Sequence, residues 1–289
     1  MNLGKSGVWF PVNGLGKADV IKLAQMVEQL NYDTLWYPES VGYESLALGG
    51  FLLGETTRIF VASGIANIYA RDAFSAMAGH DTLNALYGDR YILGLGVSHV
   101  PLVEGRRGHV YGKPVATMRA YLDAMAAAEV AVKTSTRNIV LAALGPKMLA
   151  LAREKSDGAL PYNVPPEHTA QAKEILGPDR WLCVEQMVCL STDAATARRV
   201  AAQHLARYMP MPNYRNNWLR LGFSEDDLHG RGSDRFLDAI VAWGSAETIR
   251  RRLKAHFDAG ATHVCIQPLN PDGSGIPDWN ALQALAPEH

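Results

Sequence analysis

The sequence predicts a single (β/α)8 barrel, the TIM-barrel fold, over its 289 residues. Short apolar runs, rich in β-branched and aromatic residues, recur along the chain, and each precedes a longer stretch with helical periodicity. The apolar runs lack polar alternation, which indicates parallel strands covered by helices. There are eight such units, and this number favours a closed barrel over the alternative of an open doubly wound sheet.

The predicted strands and helices alternate regularly in the order of the chain. The strands are expected at residues 7–10, 34–37, 59–65, 91–97, 139–143, 158–162, 181–190 and 263–269. The helices are expected at residues 17–30, 44–53, 72–86, 114–128, 146–154, 166–176, 194–208 and 246–259. Asp72, Asp193 and Ser245 are suited to cap helix N-termini, and Gly260 suits a C-terminus that needs a positive φ.

One segment, residues 209–243, interrupts this alternation before the last helix and strand. Loops at the catalytic face of a barrel carry function, so an insertion there can reach over the mouth. It can equally form an extra helix packed outside the barrel, and the sequence leaves both interpretations open. No low-complexity linker divides the chain, so we expect one domain.

Charge and cysteine content exclude several classes of partner. The chain has 28 basic and 29 acidic residues and no basic run, so neither nucleic acid nor an anionic membrane is expected as a partner. Cys183, Cys189 and Cys265 lie in apolar stretches without a CxxC pair, which is typical of reduced core cysteines. We find neither a secretion signal nor a membrane-spanning apolar run, so the sequence predicts a cytoplasmic protein.

Two loops of small residues follow neighbouring strands, at the end where barrel enzymes carry their active sites. The second loop leads into a helix that begins at Pro146, and the unpaired N–H groups of a helix N-terminus favour an anion. Glycine for tight barrel closure explains either loop alone, whereas the pair favours a phosphate cradle. The loop residues are Gly96, Val97, Ser98, Ala143, Leu144 and Gly145.

Three further observations bear on the chemistry. A glycine inside the third strand, Gly64, indicates a bulge or close contact with a flat ligand. There is no HExxH motif and no His/Asp cluster at metal-ligand spacing, so we expect no metal, and a metal-dependent hydrolase is disfavoured. Glu185 alternates with apolar residues in the seventh strand, where a polar core network is the favoured interpretation.

Three stretches together resemble a known family. They are Ser-Gly-Ile at residues 63–65, Tyr-Gly-Asp-Arg-Tyr-Ile-Leu-Gly-Leu-Gly-Val-Ser at 87–98, and Trp-Gly-Ser-Ala-Glu-Thr-Ile at 243–249, which leads to Ala-Gly-Ala-Thr-His-Val at 259–264. The chain resembles the bacterial luciferase-like family, more specifically its branch dependent on the deazaflavin coenzyme F-420. The resemblance covers nearly the whole chain and is weakest in residues 209–243.

The resemblance implies specific roles for the coenzyme-binding residues. Ser63 and Gly64 would form a non-prolyl cis peptide bond, and with Ile65 would make the bulge that backs the flavin-type ring. The two small-residue loops would offer backbone N–H groups to the coenzyme phosphate. Hydride transfer to or from a small substrate is the implied reaction, and a homodimer is the implied assembly.

Two positions depart from the pattern of the sugar-phosphate dehydrogenases in this branch. His99 matches a position where a glutamate commonly serves as acid, and Glu39 with Ser40 matches an Asp-His pair. The departures weigh against a sugar-phosphate substrate and leave Glu39 and His99 as the predicted catalytic groups. A histidine, with an ordinary pKa near 6.5, suits acid–base work at neutral pH.

The substrate pocket is expected to combine aromatic and amide side chains with the insertion. Such a lining favours an alcohol, a ketone or an activated alkene. Two alternatives remain open: an FMN-dependent monooxygenase of the same family, and a barrel that binds the coenzyme without catalysis. The predicted pocket residues are Phe10, Asn13, Tyr162, Asn163 and Gln267.

Overall fold

The computed structural model describes residues 3–134 and 136–287. Its strands all pair in parallel within one sheet system. They are β1 (Ser6–Trp9), β2 (Thr34–Tyr37), β3 (Phe60–Ser63), β4 (Ala66–Asn67), β5 (Tyr91–Gly96), β6 (Ile139–Leu141), β7 (Gly158–Ala159), β8 (Trp181–Cys189), β9 (Ala242–Trp243) and β10 (His263–Pro268).

Strand pairing closes the sheet into a barrel, because β10 pairs with β1 on one side and with β8 on the other. The barrel strands in order are β1, β2, β3, β5, β6, β7, β8 and β10. Of the two short strands, β4 pairs with β5 and β9 pairs with β8, and neither is part of the closed cycle of strands. The predicted (β/α)8 barrel is therefore confirmed, and the open-sheet alternative is wrong.

Helices cover the outside of the barrel. They are α1 (Lys17–Gln29), α2 (Ser45–Gly54), α3 (Ala73–Tyr87), α4 (Val100–Val103), α5 (Pro114–Ala126), α6 (Pro146–Lys155), α7 (Pro166–Leu176), α8 (Ala194–Leu205), α9 (Pro212–Arg220), α10 (Asp234–Ile240), α11 (Ala246–Asp258) and α12 (Trp279–Ala284). Among the described residues, no helix is long and apolar enough to cross a bilayer.

The sequence signals at helix ends act as predicted. The side chains of Asp72, Asp193 and Ser245 accept hydrogen bonds from backbone N–H groups in the first turns of α3, α8 and α11. Gly260 adopts φ +99°, in the region that favours glycine. A side-chain N-cap of the kind formed by Asp72, Asp193 and Ser245 contributes about 1 kcal/mol to helix stability. Local chemistry therefore sets these helix boundaries.

Alternation along the strands divides the core into two layers. Val8, Leu35 and Val61 belong to the layer between strands and helices, whereas the neighbouring Trp9 and Trp36 belong to the barrel interior. Burying a large apolar side chain of this kind contributes about 1.5–3 kcal/mol. Cys183 and Cys265 complete the interior layer as free, buried thiols.

The insertion reaches over the barrel mouth and also packs outside the barrel, so both interpretations that the sequence left open apply. Its helix α9 lies at the carboxyl-terminal mouth, where Trp218 Nε1 donates to the Asn163 carbonyl at 2.9 Å. Its helix α10 packs outside, against α8, and Arg198 of α8 pairs there with Asp234 and Asp238. The insertion therefore covers the mouth with one helix and anchors itself with the other.

Candidate active site

A cavity of about 490 Å³ opens at the carboxyl-terminal mouth of the barrel, beneath α9. It brings together most of the residues predicted from the strand ends. The predicted residues that line it are Ile65, Gly96, Val97, Ser98, His99, Ala143, Leu144, Gly145 and Tyr162. Helix α9 contributes further lining residues that sequence reasoning did not single out: Asn213, Tyr214, Asn216 and Arg220.

One end of this cavity is built to receive an anion. Helix α6 begins there, with Gly145 as N-cap, and no side chain caps its first turn. A Cβ placed on Gly145 would lie 3.5 Å from Nη2 of Arg220, so a guanidinium stands beside this helix terminus. Lys147, in the same first turn, also lines the cavity. Positive charge, helix dipole and uncapped N–H groups coincide, which is the arrangement that binds phosphate groups.

The loop that carries Leu144 is held in place by a histidine. His168 Nε2 lies 2.8 Å from the Leu144 carbonyl, and because a carbonyl only accepts, Nε2 carries the hydrogen. Burial lowers the pKa of His168 below its ordinary value. A neutral, correctly oriented imidazole therefore supports the anion-binding loop.

The opposite loop, after β5, adopts an uncommon backbone conformation. Ser98 has φ +57°, a region that side-chain-bearing residues rarely adopt. Its carbonyl accepts a hydrogen bond from the Tyr111 hydroxyl at 3.2 Å. Non-glycine residues in such regions cluster at ligand sites, and the phosphate-binding role of this loop stays a prediction.

The wall beside these loops contains a cis peptide bond, but one residue later than predicted. The cis bond joins Gly64 to Ile65, whereas the prediction placed it between Ser63 and Gly64. The physical reason is that Gly64 N–H still donates to the Tyr37 carbonyl, at 2.6 Å, so sheet pairing extends through Gly64. Ser63 and Gly64 do not line the cavity, whereas Ile65 does.

Close packing behind this wall explains a glycine in β5. A Cβ on Gly94 would lie 1.9 Å from the carbonyl oxygen of Ser63, which no side chain tolerates. The Ser63 hydroxyl also bonds to the backbone N–H and carbonyl of Gly94, each at 2.9 Å. Glycine at this position lets the strand before Ile65 lie directly against β5.

Glu39 is not among the residues that line the cavity, although it was predicted as a proton-handling group. Its buried carboxylate forms a salt bridge with Arg71 and accepts the N–H groups of Asn67, at 2.8 Å, and Ser45, at 3.3 Å. Its own N–H donates to the Ile65 carbonyl at 3.0 Å. Glu39 therefore ties β2 to the segment that follows the cis bond, and its geometry argues against proton transfer to a ligand.

His99 does line the cavity, at the end of the loop after β5. Its ring packs against Tyr214 of α9, with ring centroids 5.8 Å apart. Burial lowers the pKa of His99 below its ordinary value of 6.5, so the imidazole is neutral at neutral pH. A neutral imidazole that faces a cavity can accept a proton from a ligand.

The predicted substrate residues are divided between two cavities. Phe10 and Gln267 line a second, smaller cavity, whereas Tyr162 lines the first one. Asn13 lines neither, and its Nδ2 donates to Ser40 Oγ at 2.5 Å. The prediction of one common pocket is therefore wrong, because Tyr162 stands between the two spaces and its hydroxyl donates to Gln267 Oε1 at 2.8 Å.

Behind Tyr162, deep in the barrel, two polar side chains have unused hydrogen-bonding atoms. Glu185 accepts only the Asn163 N–H, at 3.2 Å, through Oε2; its Oε1 and both side-chain polar atoms of Asn163 lack partners among the described residues. Burial raises the pKa of Glu185 to about 8. Asn163, predicted as a pocket residue, is itself fully covered, and its φ is +59°.

The described residues contain no group of three or more His, Cys, Asp or Glu side chains arranged to hold a metal ion. What they contain is a cavity with a phosphate-type end at α6 and an apolar wall at Ile65, Ala142 and Leu160. These features fit a coenzyme that carries a phosphate and a flat ring. Fold and cavity together define a parallel (β/α)8 barrel with an anion-favouring cavity at its carboxyl-terminal mouth.

Comparison with known proteins gives the family. The family model described as luciferase-like monooxygenase matches residues 6–263, and the chain belongs to this family. A protein of Mycobacterium tuberculosis, named as a coenzyme F-420-dependent oxidoreductase, is 25% identical, with 92% of this chain and 94% of the relative covered.

Two solved structures share the fold at low sequence identity. A coenzyme F-420-dependent secondary alcohol dehydrogenase in complex with an F-420–acetone adduct has a TM-score of 0.77 at 14% identity, with 98% of this chain and 97% of that chain covered. The oxygenating constituent of 3,6-diketocamphane monooxygenase from Pseudomonas putida, in complex with FMN, has a TM-score of 0.72 at 15% identity. The covered shares are 100% of this chain and 98% of that one.

Proposed function

We propose that this chain is an oxidoreductase that transfers a hydride between coenzyme F-420 and a small organic substrate, such as an alcohol, a ketone or an activated alkene. The observation that carries the proposal is the cavity itself, which joins an anion-binding helix terminus to an apolar wall at the mouth of a luciferase-like barrel. The name of the Mycobacterium tuberculosis relative supports coenzyme F-420 as the group that fits there.

The chain's own residues divide the work of holding the coenzyme. The first turn of α6 and Arg220 would bind the phosphate, together with the loop of Gly96, Val97 and Ser98. Ile65 and Leu160 would lie against the ring. When bound, the deazaflavin supplies a carbon that accepts or donates a hydride. The roof formed by α9 would exclude water from the reacting atoms.

His99 is the residue that we propose to move the proton. Oxidation of an alcohol requires a base at its hydroxyl, and His99 is neutral because burial lowers its pKa. Packing against Tyr214 limits the orientations of the imidazole ring. In the reverse direction the ring nitrogen that accepted the proton, whether Nδ1 or Nε2, would return it to the substrate oxygen.

The alternative is an FMN-dependent monooxygenase. The observation that favours it is that an FMN-bound monooxygenase shares the fold over the whole chain. Both coenzymes combine a phosphate with a flat ring, so the same cavity suits either. The two proposals differ in chemistry, because a reduced flavin reacts with oxygen whereas the deazaflavin carries a hydride.

A titration of the purified protein with each coenzyme, followed by fluorescence, distinguishes the two. We expect micromolar or tighter binding of the deazaflavin and weaker binding of FMN. Arg220→Gln should weaken binding of the preferred coenzyme, whereas Arg251→Gln, a change on the exposed face of α11, should not. Tighter binding of FMN than of the deazaflavin would favour the monooxygenase alternative. If neither coenzyme bound, both proposed functions would be wrong.

We also propose a cytoplasmic homodimer. Support for the compartment comes from three cysteines that are all free and buried. The dimer is what the family resemblance implies, and Leu86, a large apolar side chain that α3 leaves exposed, offers a position at which to test it. Light scattering should give twice the monomer mass, and Leu86→Glu should reduce it; a monomeric wild type would contradict the dimer.

A further inference from the structure

A second cavity, of about 250 Å³, lies at the barrel mouth beside the ends of β1 and β10 and against α8. Part of its lining is apolar, from Phe10, Val200, Leu269 and Ile276. The remainder includes His204 and Arg207 as well as the side-chain amides of Gln267 and Asn270. The proposed hydride transfer uses none of these groups, so it does not explain why they line a cavity.

Arg207 is held in a fixed orientation without a carboxylate partner among the described residues. Its guanidinium donates from Nη2 to His204 Nδ1 at 3.1 Å and from Nε to the His204 carbonyl at 3.4 Å. It also lies over the ring of Tyr208, 5.3 Å from the centroid. By contrast, Arg198, on the same side of the barrel, is paired with two aspartates. Arg207 is solvent-exposed, and it thus presents a positive charge that no carboxylate of the described residues pairs with at the edge of the cavity.

His204 does not compensate that charge, because it is neutral. Burial, and then the charge of Arg207, lower the pKa of His204 to about 3. Since a guanidinium only donates, Nδ1 is the acceptor, and the ring hydrogen is on Nε2, which faces the Tyr162 hydroxyl at 3.1 Å. Both ring nitrogens are therefore in use, and the histidine serves to position Arg207.

Two side-chain amides that line the cavity keep their NH2 groups available as donors. Gln267 Oε1 accepts the Tyr162 hydroxyl at 2.8 Å, which leaves the Gln267 NH2 group as the available donor. Asn270 Oδ1 accepts the Asp272 N–H at 3.3 Å, which likewise leaves its NH2 group. Gln203 is the exception, because its own NH2 group donates to the Gly273 carbonyl at 3.3 Å. The cavity thus offers a charged donor and two neutral donors above an apolar surface.

We propose that this second cavity is a binding site for a small organic monocarboxylate with a short apolar chain. A guanidinium presents parallel N–H groups that match the two oxygens of a carboxylate, and one arginine balances one negative charge. The apolar lining suits the hydrocarbon part of such an acid better than it suits inorganic phosphate. The inference goes beyond the proposed hydride transfer and does not require the coenzyme. Through the Tyr162–Gln267 bond, an acid bound here would lie one side chain from the coenzyme cavity.

Calorimetric titration of the full chain without coenzyme tests the proposal. The probes are hexanoate, hexanamide as its neutral counterpart, and inorganic phosphate, and the proteins are wild type, Arg207→Gln, Arg207→Lys and Arg251→Gln as a charge-matched control. We expect hexanoate to bind the wild type and the control alike, and to bind Arg207→Gln about tenfold more weakly or worse. Arg207→Lys should fall between them, because an ammonium keeps the charge but lacks the fork.

The outcomes that overturn the proposal are distinct. If hexanamide bound with the same affinity as hexanoate, the negative charge would play no part in binding. If phosphate bound more tightly than hexanoate, the site would not be specific for a carboxylate. Unchanged hexanoate affinity in Arg207→Gln would place the acid elsewhere. Thermal unfolding of each variant excludes misfolding as the cause of a loss. Failure of coenzyme binding would leave the hexanoate result untouched, so the two proposals fail separately.

Discussion

Glu39 and Glu185 are two buried carboxyl groups of one barrel, with 7% and 1% of their surfaces exposed. Glu39 lies after β2, where Arg71 and two backbone N–H groups surround its carboxylate. Glu185 lies in β8, where a single backbone N–H reaches it and burial raises its pKa to about 8. The difference teaches that two carboxyl groups of similar depth can have very different partners: Glu39 is paired with a cation, whereas Glu185 is not, and burial raises the pKa of Glu185.

The comparison also bears on catalysis, because neither carboxyl group lines the proposed coenzyme cavity, whereas His99, the proposed proton-handling group, does. We expect His99→Ala to lower kcat by about 10²–10⁴-fold while coenzyme affinity stays nearly unchanged. Steady-state kinetics with fluorescence titration measures both. Equal loss in Glu39→Gln would restore Glu39 as the proton-handling group.

The pH dependence of the same reaction sharpens this assignment. His99 must be neutral to accept a proton, and burial lowers its pKa below 6.5. Alcohol oxidation should therefore stay constant as the pH falls to about 6.5, and decline only at lower pH. Tyr214, which packs against His99 from α9, is uncharged at these pH values because burial raises its pKa, and Arg220 of the same helix keeps a constant positive charge throughout this range. A decline centred above pH 6.5 would contradict the assignment.

Removal of the cation beside Glu39 should have the largest effect on stability. Arg71→Met leaves a buried carboxylate without its counter-ion, and we expect the free energy of unfolding to fall by about 3–5 kcal/mol. Denaturant titration measures this loss. The double variant Arg71→Met/Glu39→Gln should recover part of it, because no buried charge then remains. A loss below about 1 kcal/mol would show that water compensates Glu39.

Glu185 should respond in the opposite direction. At pH 7 the folded chain keeps Glu185 protonated while the unfolded chain releases the proton, which disfavours folding. Glu185→Gln removes that penalty, so we expect a gain of about 1–3 kcal/mol at pH 7. The penalty is absent below the unfolded pKa and grows as the pH rises towards 8. At pH 4.5 the two proteins should therefore be equally stable, and a gain that persists there would refute the protonated state.

Glu39→Gln should cost less than the loss of Arg71. The amide oxygen still accepts N–H groups, and Arg71 still pairs with the half-exposed Glu44 at 2.5 Å. We expect a loss of about 1–2 kcal/mol in the free energy of unfolding. Turnover should change little, because Glu39 supports the segment after the cis bond and does not line the cavity.

A solvent-exposed salt bridge should give the smallest loss of stability among these substitutions. Arg119 and Glu154 form a two-pronged salt bridge between α5 and α6, with each side chain about half exposed. Solvent screens such a pair, so Arg119→Ala should leave unfolding indistinguishable from wild type. A loss comparable to that of Arg71→Met would mean that burial is not what separates the two arginines.

Prediction from sequence was most successful where local chemistry decides the outcome. The apolar runs became strands, and Asp72, Asp193 and Ser245 became caps, because each signal depends on neighbours within a few residues. The small-residue loops were brought to one cavity because the carboxyl ends of parallel strands meet at one face. Their coenzyme role and that of His99 stay predictions until binding is measured.

Prediction was least successful where distant residues decide. Arg220 was missed because it lies in the insertion, 75 positions after Gly145, and no local pattern marks it as a neighbour of α6. The cis bond was misplaced by one residue, because the Tyr37 carbonyl, on another strand, holds Gly64 in sheet pairing. Phe10 and Tyr162 were assigned to one pocket, although the Tyr162 hydroxyl closes a wall between two.

By itself, the sequence determined the eightfold alternation, the parallel barrel and the face that carries the site, because these follow from apolar periodicity and from local helix-end chemistry. Only the tertiary structure decided which partners the titratable side chains meet. Glu39 meets Arg71 from another loop, Glu185 has no cationic partner among the described residues, and the exposed Arg207 contacts His204 and the Tyr208 ring. The charge of a buried group depends on what packs around it, and those neighbours come from residues far away in the chain.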